Sequence, residues 1–116
     1  MAIKTNVRMD GESVVVSISG MLDFETTDSF RENLFEIEKQ VGQNQVVFDL
    51  GLLEFVGSSG ISAFIQTLRE FNSRLPSRPR YVNVRSEFKR IITAFDENKS
   101  FDFWDSRERA LKSFDN

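Results

Sequence analysis

Residues 46–71 read VVFDLGLLEFVGSSGISAFIQTLREF. Val46, Val47, Phe48 and Leu50 make a nearly continuous apolar run, the mark of a strand buried on both faces. Further on, Ile61, Phe64, Ile65 and Leu68 recur at i, i+3, i+4 and i+7, one face of an amphipathic helix expected over about 59–71. Between the two stands Gly57-Ser58-Ser59-Gly60. Two serine hydroxyls are thus expected at a helix N-terminus, where unpaired backbone N–H groups and the positive end of the helix dipole favour added negative charge. A phosphoryl group placed there is held locally and changes the surface that a partner meets. The function is expected at this point of the chain.

Other readings of the same four residues are weaker or blander. On spacing alone, Gly57 permits a turn and one serine caps the helix. A phosphate or nucleotide cradle would want a lysine, and the motif is too short for a Walker A loop. A nucleophile elbow is excluded, because Gly-x-Ser-x-Gly does not occur here.

Composition narrows the chemistry. The 116 residues contain no histidine and no cysteine. That removes Ser-His-Asp and Cys-His catalysis, thiolate chemistry, disulfides and the commonest zinc ligand together. The expectation is a protein without catalysis of its own, without a metal and without a cofactor. A net charge of −3 argues against nucleic acid as a partner. No signal-like or membrane-spanning apolar run is present, so a cytoplasmic protein without direct membrane insertion is expected. The length suits one domain over 1–116, able to bury roughly 65% of its unfolded surface. Twelve phenylalanines against one tryptophan and one tyrosine predict a Phe-rich core.

Outward from the central stretch, Ile3, Val7 and Met9 suggest a first strand, and Asp10-Gly11 signals a hairpin turn. Val14, Val16 and Ile18 mark a second strand closed by Gly20. Phe30, Leu34, Ile37 and Val41 predict a helix ending near Gly42, with cap candidates over 23–27. Residues 46–50 form the third strand. Residues 72–80 read as a loop, 81–84 as a fourth strand, and Ser86 as the cap of a helix bearing Phe88, Ile91, Ile92 and Phe95. Phe101 and Phe103 alternate as a short last strand. Asp105 and Glu108 have capping-box spacing before a final helix with Ala110, Leu111 and Phe114 on its apolar side. The expected class is α/β: a mixed sheet of four or five strands, an N-terminal hairpin followed by parallel crossovers, and about four helices mainly on one face.

Three further features have bland first readings. Asp23 suits an Asx-turn or cap, and a functional role needs it near Ser58. Asp49 has only Glu54 as a nearby carboxylate, a poor start for a metal site. Arg74, Arg78 and Arg80 read as solvated loop charge.

At this point the residues resemble a known family. The run Phe48-Asp49-Leu50-Gly51-Leu52-Leu53-Glu54-Phe55-Val56-Gly57-Ser58-Ser59-Gly60-Ile61 is similar to the signature of STAS domains, the anti-sigma factor antagonists. Gly20-Met21-Leu22-Asp23 resembles that family's Gly-x-Leu/Ile-Asp after its second strand, and Phe88-Lys89-Arg90-Ile91-Ile92 its helix after the fourth. The resemblance implies a domain that binds a kinase-type anti-sigma factor and frees the sigma factor. It implies phosphorylation at Ser58, with Ser59 as second choice, by the anti-sigma factor serine kinase, and reversal by a phosphatase. It implies a partner-binding surface of Asp23, Gly57, Ser58, Ser59, Gly60 and Ile61 on a monomer or weak dimer. One departure stands out: the family's Asp before the serine is Gly57 here, which leaves less local repulsion for a phosphate on Ser58. The alternative is a STAS scaffold subunit of a larger assembly, a stressosome or a lipid-transport ATPase complex, with no phosphorylation switch.

Overall fold

The computed structural model describes residues 3–23, 25–42, 44–55, 61–95 and 101–115. Strand β1 (Ile3–Asp10) turns at Gly11-Glu12 into β2 (Ser13–Leu22), and the two pair antiparallel from Ile3↔Gly20 to Asp10↔Ser13. Gly11 has φ +63°, the left-handed conformation that a two-residue hairpin asks of its glycine. Helix α1 (Thr27–Val41) follows and stops at Gly42. Then come β3 (Gln45–Phe55), α2 (Ile61–Arg74), β4 (Arg80–Val82), α3 (Ser86–Phe95), β5 (Asp102–Trp104) and α4 (Arg107–Lys112), which runs into a 3-10 turn, Ser113–Asp115.

The strands lie in the sheet in the order β1-β2-β3-β4-β5, and every pairing after the hairpin is parallel. This order decides where the helices go. Each crossover steps one strand in the same direction, and crossovers are right-handed, so α1, α2 and α3 fall on one face. Helix α4, which follows β5, packs on the reverse face. The expected mixed sheet, with helices mainly on one face, is what forms.

The core on the three-helix face is aromatic. Phe30 of α1 stacks on Phe64 of α2 with centroids 4.6 Å apart, and Phe64 meets Phe88 of α3 at 5.7 Å. Phe48 of β3 lies between Phe71 at 5.4 Å and Tyr81 at 5.0 Å. The Tyr81 hydroxyl donates to Asn72 Oδ1 at 2.7 Å, so this buried oxygen is bonded. On the reverse face, Val15, Val47 and Val82 pack with Ala110 of α4, and Trp104, Leu111 and Phe114 close the edge of that cluster. Val14, Val15 and Val16 are all buried because β2 is covered on both sides.

Several boundaries differ from the sequence expectation. Strand β3 runs on to Phe55, past the apolar run, because a bulge lets it keep pairing with β2: Ser17 faces Asp49 but Ser19 faces Leu52. Helix α2 continues to Arg74, whose guanidinium pairs with Glu38 of α1. Arg80 belongs to β4 and pairs with Asp102 at 3.6 Å, so the three arginines do not act as one loop cluster. The expected capping box at Asp105 is replaced by Ser106, which has extended backbone and accepts from the Arg109 N–H at 3.1 Å. Asp105 instead meets the Arg109 side chain at 3.4 Å.

Candidate functional site

In a parallel sheet with helical crossovers, the strand C-termini and the helix N-termini collect at one end, where such folds place their sites. Here Leu22, the last residue of β2, pairs with Phe55, the last residue of β3. The chain leaving β2 and the chain leaving β3 therefore depart side by side. The first enters α1 through Asp23. The second enters α2 at Ile61, through positions 56–60.

Asp23 is held by a reciprocal pair of bonds. Its Oδ1 accepts from the Thr26 N–H at 2.9 Å, while the Thr26 hydroxyl accepts from the Asp23 N–H at 3.1 Å. The pair closes a turn just ahead of α1, whose N-cap is Thr26. The Thr27 hydroxyl donates back to the Asp23 carbonyl at 3.3 Å. Thr26 and Thr27 are buried, so each hydroxyl needs these partners. Asp23 thus has a structural task in fixing the turn that leads into α1, and it lies at the strand-exit end of the molecule.

Ile61, the first residue of α2, is 8% exposed and packs in the main core. It anchors the first turn of α2, and the exposed neighbour at that turn is Ser62. Gly57, Ser58, Ser59 and Gly60 lie outside the described residues. Of the six residues expected at the partner surface, Asp23 and Ile61 have described positions, at the starts of neighbouring crossover helices.

Sequence reasoning missed a second polar constellation, around Asp49. In the β3 bulge the Asp49 side chain folds back, and its Oδ1 accepts from the Gly51 N–H at 2.9 Å. Its Oδ2 accepts from Asn83 Nδ2 at 3.0 Å and from Arg107 Nη2 at 2.6 Å. Burial alone pushes the Asp49 carboxyl up, but the Gly51 N–H, Arg107 and Asn83 together outweigh it and hold its pKa below the ordinary value. Gly51 leaves room for this: a Cβ there would stand 3.1 Å from both Asn83 Cβ and Asp49 Oδ1. Asn83 takes φ +58° just after β4. The network ties β3, the end of β4 and the first residue of α4 together on the reverse face. The signal for it in the sequence is Asp-x-Gly at 49–51, the pattern of an Asp bonding the backbone two residues on.

Among the described residues, no group of three or more His, Cys, Asp or Glu side chains is placed to hold a metal ion. Among the same residues, no helix is long and apolar enough to cross a membrane.

The whole arrangement has relatives. An anti-sigma factor antagonist from Mycobacterium paratuberculosis matches the fold with a TM-score of 0.80 at 22% identity, over 98% of this chain and 95% of that one. A serine-to-glutamate variant of RsbS from Moorella thermoacetica matches at 0.72 and 17% identity, over 97% and 96%. The phosphorylated form of the Bacillus cell fate determinant SpoIIAA matches at 0.63 and 18% identity, over 96% and 99%. No curated protein sequence matches. The model of one family, described as the STAS domain, covers residues 3–110, and the chain belongs to that family.

Proposed function

We propose that this protein is a non-enzymatic, cytoplasmic anti-sigma factor antagonist, a single STAS domain that binds a kinase-type anti-sigma factor and thereby releases a sigma factor. Phosphorylation of Ser58 by that kinase, with Ser59 as the second acceptor, turns binding off, and a phosphatase restores it. The observation that carries this reading is positional. The Ser58-Ser59 pair lies in the link between the end of β3 and the start of α2, and the neighbouring strand exit holds Asp23. Asp23, the 57–60 link and the first turn of α2 then form one partner surface. The family membership supports the choice of partner.

The physical logic is a charge placed at an interface. A phosphoserine adds a charge of about −1.5 to −2. Where such a charge meets an exposed helix N-terminus, the dipole and free N–H groups favour it by roughly 0.3–1 kcal/mol, so the modification is expected to leave the fold intact. Against a closely packed partner, an unpaired charge costs several kcal/mol. The test is incubation with the cognate kinase and ATP, then peptide mass spectrometry. Phosphate on Ser58 supports the switch, and on Ser59 moves it by one residue. Phosphate on neither serine removes it.

One sequence feature favours a second reading. Gly57 removes the carboxylate that the family carries before its serine, and a scaffold subunit without a switch has no need of it. A protein that co-purifies in a stable multi-subunit assembly, unphosphorylated, supports that reading.

A further inference from the structure

The sheet has two edges of unequal character. At one, β5 is three residues long and bordered by the chain leading into α4. At the other, β1 runs for eight residues with an unbroken register to β2, no proline and no bulge. Among the described residues, nothing pairs with its outer edge. The closing pair of the two-residue hairpin, Asp10↔Ser13, is a hydrogen-bonded pair, and such pairs alternate along the ladder. Lys4, Asn6, Arg8 and Asp10 therefore direct their backbone groups to β2. Thr5, Val7 and Met9 direct theirs outward, unpaired. An edge of this length and regularity is a template for another strand.

Its charges select the occupant. The geometry points to a second copy of this chain, joined by antiparallel β1–β1 pairing about a two-fold axis at Val7. In that register Lys4 faces Asp10 of the second copy, and the same pair recurs by symmetry. Asn6 faces Arg8, Val7 faces Val7, and Thr5 faces Met9. An axis at Asn6 would set Lys4 against Arg8, and an axis at Arg8 would set Arg8 against itself. Both oppose like charges directly, which destabilises a strand pair. An axis at Thr5 overlaps only five residues of the strand, 3–7. The Val7 register also gives Met9, 56% exposed in the monomer, an apolar row to join with Val7 of both copies. The product is a continuous ten-stranded sheet whose reverse face carries Lys4, Asn6 and Arg8 from each copy. An interface made of one strand pair is smaller than the ~1,200 Å² of stable complexes, so association is weak and reversible. It uses the sheet edge and is independent of the Ser58 reading.

Sedimentation equilibrium of the full chain, from micromolar to millimolar concentration, tests this. The expected result is a monomer–dimer equilibrium in the wild type. Lys4→Asp should weaken it about tenfold, since two attractive pairs become repulsive. The double exchange Lys4→Asp with Asp10→Lys should restore it. Val7→Pro removes an outward N–H that β2 does not use, so it should abolish dimerisation with an unchanged circular dichroism spectrum. A wild type that stays monomeric throughout, or a dimer indifferent to the charge exchange, overturns the proposal.

Discussion

Asp49 and Asp23 illustrate how much one carboxylate can do away from any reacting group. Asp49 joins a bulge, a strand end and a helix start through three bonds. Its folded pKa lies below the ordinary value, so its stabilisation is complete above the unfolded value of about 3.9 and is lost as pH falls through that value toward the folded one. Asp49→Asn should therefore lose about 1.5–3 kcal/mol at pH 7, the worth of hydrogen bonds to a charged group. Its denaturation curve should also fall less steeply than that of the wild type below about pH 4. Urea titrations across pH measure both. Asp23 allows a cleaner separation of roles. Asp23→Asn keeps an oxygen for the Thr26 N–H and should melt within a few tenths of a kcal/mol of the wild type, because Asn and Asp side chains both bond the backbone in such turns. If Asp23 also belongs to the partner surface, the same variant should bind the anti-sigma factor less tightly; unchanged affinity leaves Asp23 a turn residue alone. At this scale the sequence pointed to Asp23 as an Asx-turn or cap residue from its place after a strand, and the turn is what forms. It did not show the Asp49 network, because Asn83 and Arg107 are 34 and 58 residues away.

At the scale of elements, the aromatic column Phe30–Phe64–Phe88 links all three crossover helices. Phe64 is fully buried between the other two rings, so Phe64→Ala removes a ring that nothing nearby can replace. The expected loss is about 3–5 kcal/mol, a large share of the ~5–15 kcal/mol that holds a domain of this kind, and thermal or chemical denaturation reads it directly. A loss under about 1 kcal/mol would mean that the helices do not share this column. The order of elements and the apolar side of each helix were legible beforehand, since the 3.6 and 2 periodicities are local. The bounds were less so. Strand β3 outlasts its apolar run through a bulge that depends on pairing with β2, and Ser106 rather than Asp105 caps α4, with extended backbone and its hydroxyl on the Arg109 N–H. The first is an outcome of tertiary context. The run Ser13-Val14-Val15-Val16 did carry a sign of the reverse-face helix, since alternation alone leaves Val15 unexplained.

For the whole molecule, the one-directional strand order and right-handed crossovers put three helices on one face and bring their N-termini to one end. The one-face placement was legible from the alternation of helices and strands after the hairpin, whereas the strand order β1-β2-β3-β4-β5 was not, because it depends on contacts between distant segments. The strand order sets the Asp23 turn beside the entry to α2, the neighbourhood on which the proposed partner surface rests. In the proposed switch, a single charge at Ser58 separates a folded, binding protein from a folded, non-binding one. The most direct measurement is the dissociation constant of the cognate kinase-type anti-sigma factor for wild type, Ser58→Ala and Ser58→Asp, each first shown to have the same circular dichroism and melting. The account predicts that Ser58→Ala binds like the wild type and that Ser58→Asp binds at least about a hundredfold more weakly, a difference of roughly 2.8 kcal/mol. Equal affinity of Ser58→Asp and wild type would contradict it.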